Sequence, residues 1–219
     1  MKQNTNLKSL LIAMTVALGA VATAQAQDAN VAVPNPADTI TSGGLIGSRY
    51  TQVEYNYIDL SGSGPSHANG FGVTFNQPVN ANFDASLNYD WARAKWAGVR
   101  GTDQVFEVGA TAYTTLAWGR PYAMATAGWD WQKVGGLRDD SFIYRVGVGM
   151  EFLAAPQFSV TPFVNFVRAT GFNANEYEIG AKATYRVNAS WSVTARAQYE
   201  AVEDDDDSAE YSIGLNYHF

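Results

Sequence analysis

The sequence predicts an all-β chain: a closed, antiparallel, up-and-down β-barrel of ten strands that crosses a membrane. Three observations predict it. From Ser48 to Phe219 apolar and polar residues alternate almost without a break, in segments parted by Gly, Pro, Asn and Asp. The final stretch holds that alternation to the last residue. Tyr211, Ile213, Leu215, Tyr217 and Phe219 form one face, and Ser212, Gly214, Asn216 and His218 the other. An aromatic edge strand left bare in water invites edge-to-edge association, whereas closing a barrel in lipid pairs that edge. The third observation is residues 1–26, which read as an export signal. Lys2 and Lys8 give a positive start, Leu10 to Val21 an apolar core, and Ala24-Gln25-Ala26 a small-residue cleavage motif. A mature start at Gln27 follows. The apolar core is too short to span a membrane as a helix, and no later run reaches ~18 apolar residues.

Composition narrows the function. At 219 residues the chain holds one barrel domain. It has no Cys, which excludes a disulfide framework, a thiol nucleophile and Cys-ligated metal. The net charge is -7, and cleavage of the signal removes two of the bases, which argues against nucleic acid as a partner. Twelve Tyr and six Trp suit rings placed at two membrane interfaces.

Taken in order, residues 27–47 lack periodicity and carry Pro34, Pro36, Gly43 and Gly44; they read as a loose segment before the barrel of residues 48–219. This segment either tucks into the barrel or hangs outside it. The first strand, 48–59, sets Thr51, Val53, Tyr55 and Tyr57 against Gln52, Glu54 and Asn56. A Gly/Ser/Pro turn over 60–67 follows. The second, 68–76, alternates Phe71, Val73 and Phe75 with glycines and Thr74, and ends in a turn at Pro78. The third, 82–94, sets Phe83, Leu87, Tyr89 and Trp91 against Asp84, Ser86, Asn88 and Asp90. The fourth and fifth, 103–113 and 120–132, turn Val108 and Trp129 outward, and Glu107 and Asp130 inward.

Gly135 and Gly136 mark the next loop. The sixth strand, 140–152, is the cleanest alternation, with Phe142, Tyr144, Val146, Val148 and Met150 opposite Arg145, Gly147, Gly149 and Glu151. The seventh, 157–168, is the weakest, because Phe163 and Val167 fall on the inward face beside Asn165. The eighth and ninth, 175–185 and 190–202, turn Tyr177, Ile179, Trp191 and Tyr199 outward, and Glu176, Glu178, Lys182, Arg196 and Glu200 inward. The tenth is the terminal strand. Eight strands is the alternative count, if two hairpins are loops. An even number puts both chain ends at one rim. Aromatics gather at strand ends, with Trp91, Trp129, Trp131, Tyr177 and Tyr199 toward one rim and Phe75, Phe83, Phe152, Trp191, Tyr217 and Phe219 toward the other. A soluble sandwich would bury its rings at the centre instead.

The terminal residues also resemble the C-terminal signature of bacterial outer-membrane β-barrels: a polar residue, a Gly two later, an aromatic three further on and a final Phe. Ser212, Gly214, Tyr217 and Phe219 fit it. The chain resembles the small porin-like and opacity-type surface-antigen barrels of Gram-negative cells. The resemblance implies an outer-membrane location after export to the periplasm, and recognition of the last strand by the barrel assembly machinery. It further implies outer-membrane lipid and lipopolysaccharide as surroundings, and a monomer. The rim that holds both ends is then periplasmic.

The inward face is polar and acidic. By parity it carries Glu54, Asp84, Asp90, Glu107, Asp130, Glu151, Glu176, Glu178, Glu200 and Glu210, against Arg145, Lys182, Arg186 and Arg196. Near mid-depth, Glu54, Glu107, Arg145, Lys182 and Arg196 are the candidates for an ion-pair network across the lumen. Two functions follow: a structural barrel plugged by this network, or a small channel whose acidic wall favours cations. Tyr113, Tyr122, Met124 and Phe163 point inward near the periplasmic end and are candidates for a constriction. Glu203 to Asp207 form an acidic loop without the spacing of a calcium-binding hand, so no metal site and no cofactor is expected. Arg93 and Arg168, outward near the outer rim, suit lipopolysaccharide phosphates. Only His67 and His218 are available for acid–base chemistry. His67, in the first outer loop with Ser63 and Ser66, has Asp59 and Asp90 as conceivable partners. The chain is expected not to be an enzyme. Its outer loops are short and poor in aromatics, which disfavours a large adhesive surface, the third class considered.

Overall fold

The computed structural model describes residues 43–60, 67–96, 99–203 and 207–219. The export-signal reading and most of the segment 27–47 lie outside them. The described residues form ten strands: β1 (Tyr50–Leu60), β2 (His67–Asn80), β3 (Phe83–Trp96), β4 (Val99–Tyr113), β5 (Gly119–Val134), β6 (Leu137–Ala155), β7 (Phe158–Ala169), β8 (Ala174–Arg186), β9 (Trp191–Val202) and β10 (Ser208–His218). Each pairs antiparallel with its sequence neighbour, and β1 pairs with β10, so the sheet closes into an up-and-down barrel. Ten strands, rather than eight, are therefore the count.

The period-two pattern decides which face is which. Along β10 every polar residue from Ser208 to His218 is buried, and every intervening large apolar residue is exposed. Val53, Val108, Val148, Ile179 and Ile213 are each more than half exposed on the outer wall, while Gln52, Asn56, Glu107, Thr194 and Asn216 are buried inside. This is the inverse of a water-soluble fold. A wall so apolar is stable where lipid, rather than water, faces it.

Two boundaries differ from the sequence reading. Strand β2 does not stop before Pro78. It continues to Asn80, with a register shift between Pro78 and Asn80. A bulge is where a strand tolerates a residue that has no N–H to donate. Strands β4 to β6 are also longer than the alternation suggests, and β6 alone has 19 residues. The β5–β6 connection is only Gly135-Gly136, at φ 59° and 96°. Both values lie in the left-handed region, the conformation that a tight two-residue hairpin asks of its turn.

Rings cluster at both rims. At the far rim Phe71 stacks on Trp91 with centroids 5.4 Å apart, and Trp129 meets Phe142 edge-on at 5.1 Å. At the rim that holds the C-terminus, Trp191 meets Tyr217 at 4.9 Å and Phe75 stacks on Phe219 at 6.2 Å. The Arg49 guanidinium lies 4.7 Å from the Phe219 ring centroid, a cation–π contact that ties the first strand's approach to the last residue.

Candidate functional site

The lumen is the site. Strand β6 carries Arg145 inward at a level where it reaches two strands in either direction. Its Nη1 pairs with Glu178 of β8, and its Nε lies 3.6 Å from Glu107 of β4. Asn165 of β7, between them, donates to the other Glu178 oxygen at 2.7 Å. Thr126 of β5 donates to Glu107. A second group sits across the β1–β10 seam. Arg196 of β9 donates to Glu54 of β1 at 3.1 Å and to Glu210 of β10 at 2.6 Å, and Ser212 donates to the other Glu54 oxygen at 3.2 Å. Each guanidinium thus stands between two carboxylates, Arg145 through two of its nitrogens and Arg196 through one.

Of the five residues read as a network, Glu107 and Arg145 lie in one group and Glu54 and Arg196 in the other. Lys182 joins neither pair; its ammonium lies 5.6 Å from the Phe163 ring centroid. The structure adds Glu178 and Glu210 as the second partners. It also adds an inward base and an inward acid that the parity reading left out, Arg120 and Asp103. Both sit on the inward face by that same parity, so the signal was present.

A cavity of about 510 Å³ fills the outer part of the barrel. It reaches Ile58, Gln132 and Val202 near the far rim, and its lower end is lined by Tyr122, Met124, Phe163 and Lys182. Two inward glycines make this floor possible. A Cβ on Gly149 would stand 2.5 Å from the Tyr122 ring, and one on Gly180 would stand 2.7 Å from Phe163 Cζ. Three of the four residues read as a constriction therefore lie together. Tyr113 does not line the cavity; it is buried lower, against Gly47.

Below the floor the chain itself enters the barrel. Gly43 to Ser48 run inside the terminal rim and are held there by side chains of five strands, Asn76 of β2 donating to the Ser48 carbonyl at 2.8 Å. Glu151 accepts the N–H groups of Leu45 at 2.7 Å and Ile46 at 3.3 Å. Arg120 donates to the Ile46 carbonyl at 2.6 Å and to Glu151 at 3.3 Å. Asp84 accepts the Gly47 N–H at 2.8 Å, and Ser159 donates to the Gly43 carbonyl at 3.3 Å. Glu151 is 1% exposed and Asp84 2%, so these acids are spent on backbone rather than on solvent. The segment's choice between tucking in and hanging free is settled for residues 43–48: they tuck in.

The two histidines stand at opposite ends of β1, His218 beside Tyr50 and His67 beside Asp59. His218 meets Arg186 Nη1 at 2.7–2.8 Å and Ser192 Oγ at 2.8 Å. Ser192 is fully buried, so this contact locks the terminal strand to β8 and β9 instead of presenting a nucleophile. His67 stacks on Tyr57, with centroids 5.9 Å apart, and lies opposite Asp59 in the β1–β2 register. Ser63, Ser66 and the centre of the acidic loop lie outside the described residues. At its ends, Glu203 accepts from Asn175 and Asp207 from Tyr199. Arg168 is held by Asn173 and Asn175 at 2.7 and 2.8 Å, while Arg93 is exposed.

No protein-family model matches the chain, and no curated protein does. Solved structures do. The β domain of the Bordetella autotransporter Brka aligns with a TM-score of 0.50 at 12% identity, over 78% of this chain and 99% of that one. Neisserial surface protein A (NspA) aligns at 0.43 and 17% identity, over 78% and 96%. The outer membrane protein OprG from Pseudomonas aeruginosa aligns at 0.43 and 11% identity, over 81% and 99%. At these identities the likeness is one of fold. Together, the closed sheet and the lipid-compatible outer wall define a membrane-spanning β-barrel.

Proposed function

We propose that this chain is a structural outer-membrane barrel whose acidic lumen is reached from the cell exterior and stopped at the periplasmic mouth. One observation carries the reading: residues 43–48 are hydrogen-bonded inside that mouth by buried Glu151, Arg120, Asp84 and Ser159. Barrels near this strand number are filled by side chains, and wide aqueous channels need about sixteen strands. The two arginine-centred groups narrow the lumen above the floor.

The second reading, a cation-preferring channel, is favoured by the acidic cavity alone. Planar-bilayer conductance separates the two. The sealed barrel gives no steady current as the full chain, and cation-selective steps once the chain is shortened to begin at Ser48. Steady steps from the full chain would replace the sealed barrel by the channel. The barrel's surroundings in this reading are lipid and lipopolysaccharide, with exposed Arg93 at the outer rim suited to phosphate. The last strand, from Ser212 through Gly214 and Tyr217 to Phe219, is what the assembly machinery engages.

A further inference from the structure

Five bases stand together on one flank of the outer rim. Arg93 and Lys95 lie on β3, Arg100 on β4, Lys133 on β5 and Arg138 on β6. Period two puts all five on the outward face. Arg93 and Lys95 follow Trp91 at steps of two, and Lys133 follows Trp131; Arg100 precedes Phe106, and Arg138 precedes Phe142, by even steps. All five are exposed. Among the described residues, none of their guanidinium or ammonium groups has an ion pair or a hydrogen bond.

The register makes this arrangement costly on its own. Lys95 is the direct partner of Arg100, and Lys133 of Arg138. Like charges directly opposite destabilise a sheet. The row that starts at Arg93 passes through Thr102 to Lys133 and on to Arg138, so the two like-charged pairs adjoin on four successive strands. Among the described residues one carboxylate shares this outward face, Asp140, the register partner of Trp131, and it forms no ion pair with the bases. Asp139 has the inward parity. The other described outward acids of this rim, Asp59, Glu203 and Asp207, stand at the ends of β1, β9 and β10, across the ring of strands. The rim is therefore polarised, and its basic flank calls for anions from outside the chain.

Position and spacing select the anion. The bases follow directly on the aromatic belt of Trp91, Trp129 and Trp131, where the wall leaves hydrocarbon. An outward strand residue at that level meets lipid headgroups. Arginine forks match phosphate oxygens, and lysine adds a point charge. The two like-charged pairs are centred two strands apart, about 10 Å at the usual strand spacing. Two phosphates on one headgroup suit that spacing, whereas one phosphate serves one pair.

We propose that the β3–β6 flank of the outer rim binds a doubly phosphorylated saccharolipid of the surrounding leaflet. One phosphate sits at Lys95 and Arg100 and the other at Lys133 and Arg138, with Arg93 nearer the hydrocarbon. The inference rests on the outer-membrane reading, which turns this rim outward and supplies such a lipid. It adds the flank, the two-phosphate requirement and four bases. It sets aside Arg168, whose guanidinium Asn173 and Asn175 already hold.

The test uses the full-length, refolded barrel in dodecylmaltoside micelles. Native mass spectrometry counts the lipid bound as bisphosphorylated lipid A is added. One copy per barrel is expected, held at least tenfold more tightly than monophosphorylated lipid A and weakened by salt. Lys95→Gln/Arg100→Gln and Lys133→Gln/Arg138→Gln are each expected to lose at least tenfold affinity for the bisphosphorylated form and to erase the preference. Arg49→Gln/Arg168→Gln, which removes as much charge elsewhere, is expected to leave both unchanged. The flank side chains are exposed, and far-ultraviolet circular dichroism checks that each variant is folded. Equal binding of the two lipids, or full affinity in both flank variants, would overturn the site. So would uptake of heparin by a barrel that takes up no lipid A, since the flank would then serve a soluble polyanion.

A separate arm tests the reading underneath. The chain has no Cys, and Leu137 is 81% exposed, so Leu137→Cys supplies a single reachable thiol. A membrane-impermeant maleimide is expected to label it on intact cells. Absence of labelling would overturn the outward orientation, and with it the leaflet, whatever the micelle titration gives. Labelling without a lipid preference would overturn the flank site alone.

Discussion

The carboxylate of Glu151, on β6, accepts the backbone N–H of Leu45 at 2.7 Å across 106 residues of sequence. That one hydrogen bond joins the segment before the barrel to the inside of its far wall. It works because the carboxylate is fully enclosed, so the amide faces no competition from water. Arg120 donates to Glu151 and to the carbonyl of the next residue, Ile46, and so holds the charge of Glu151 in place.

Removing this acceptor should loosen the latch and the barrel together. Glu151→Ala leaves the amides of Leu45 and Ile46 inside the mouth without an acceptor. A loss of about 1–3 kcal/mol is expected, measured by urea unfolding in micelles. Gly44→Val attacks the same contact from the other side, since a Cβ at Gly44 would run into the Glu151 carboxylate. It is expected to raise bilayer conductance with little change in circular dichroism.

The floor and the latch act in series, and series barriers have a signature. Replacing Tyr122, Met124 and Phe163 of the floor by Ala, together with Tyr113 below them, removes the floor but keeps the hydrogen bonds that hold residues 43–48 in the mouth. No rise in ion flux is expected from that variant alone. Shortening the chain to begin at Ser48 should raise flux, and combining the two should raise it beyond the sum. A large rise from the four alanines alone would make the floor the gate.

The seam group responds differently, because its charges are buried near the closing pair of strands. Arg196→Met takes the cation from Glu54 and Glu210, whose side chains are only 12% and 10% exposed. Breaking a buried pair by removing one partner costs about 3–5 kcal/mol. The same change made with Glu54→Gln and Glu210→Gln should recover most of the loss, as seen by unfolding free energy. No recovery would mean that packing of the guanidinium, rather than charge, holds the seam.

What could be read in the chain, and what could not, divides along one physical line. Period two is local, so the outward position of Ile213 and the inward position of Glu107 follow from their neighbours. Ion-pair partnership is not local. Arg145 meets Glu178 across β7, and Arg196 meets Glu54 across β10; both depend on the tilt and stagger of strands that alternation does not encode. Arg120 and Asp103 were within reach of the parity rule. The latch was not, because Leu45, Ile46 and Gly47 are bound through backbone amides, which carry no side-chain signal. Pro78 misled for a related reason: a bulge accepts the missing N–H that a regular strand would refuse.

The sharpest check on the outer wall uses one substitution at two depths. Ile213 is 59% exposed, and its strand neighbour Ser212 is 8%, so a single step along β10 crosses from outer wall to lumen. Tyr55 and Ala195 stand directly opposite Ile213 on the adjoining strands, away from either rim. Arginine placed there in lipid should cost ~2–4 kcal/mol. Leu137 is 81% exposed but stands at the tip of the β5–β6 hairpin, beyond the aromatic pair of Trp129 and Phe142. Leu137→Arg should cost ~0–1 kcal/mol, the value near or past the interface. Reversible unfolding in lipid vesicles measures both. Equal costs at the two positions would mean that the wall around Ile213 does not lie at the depth of the hydrocarbon. A difference of a few kcal/mol fixes the membrane's position along the strands, with the cavity of Glu176 and Asp130 on its outer side and the latch of residues 43–48 on the other.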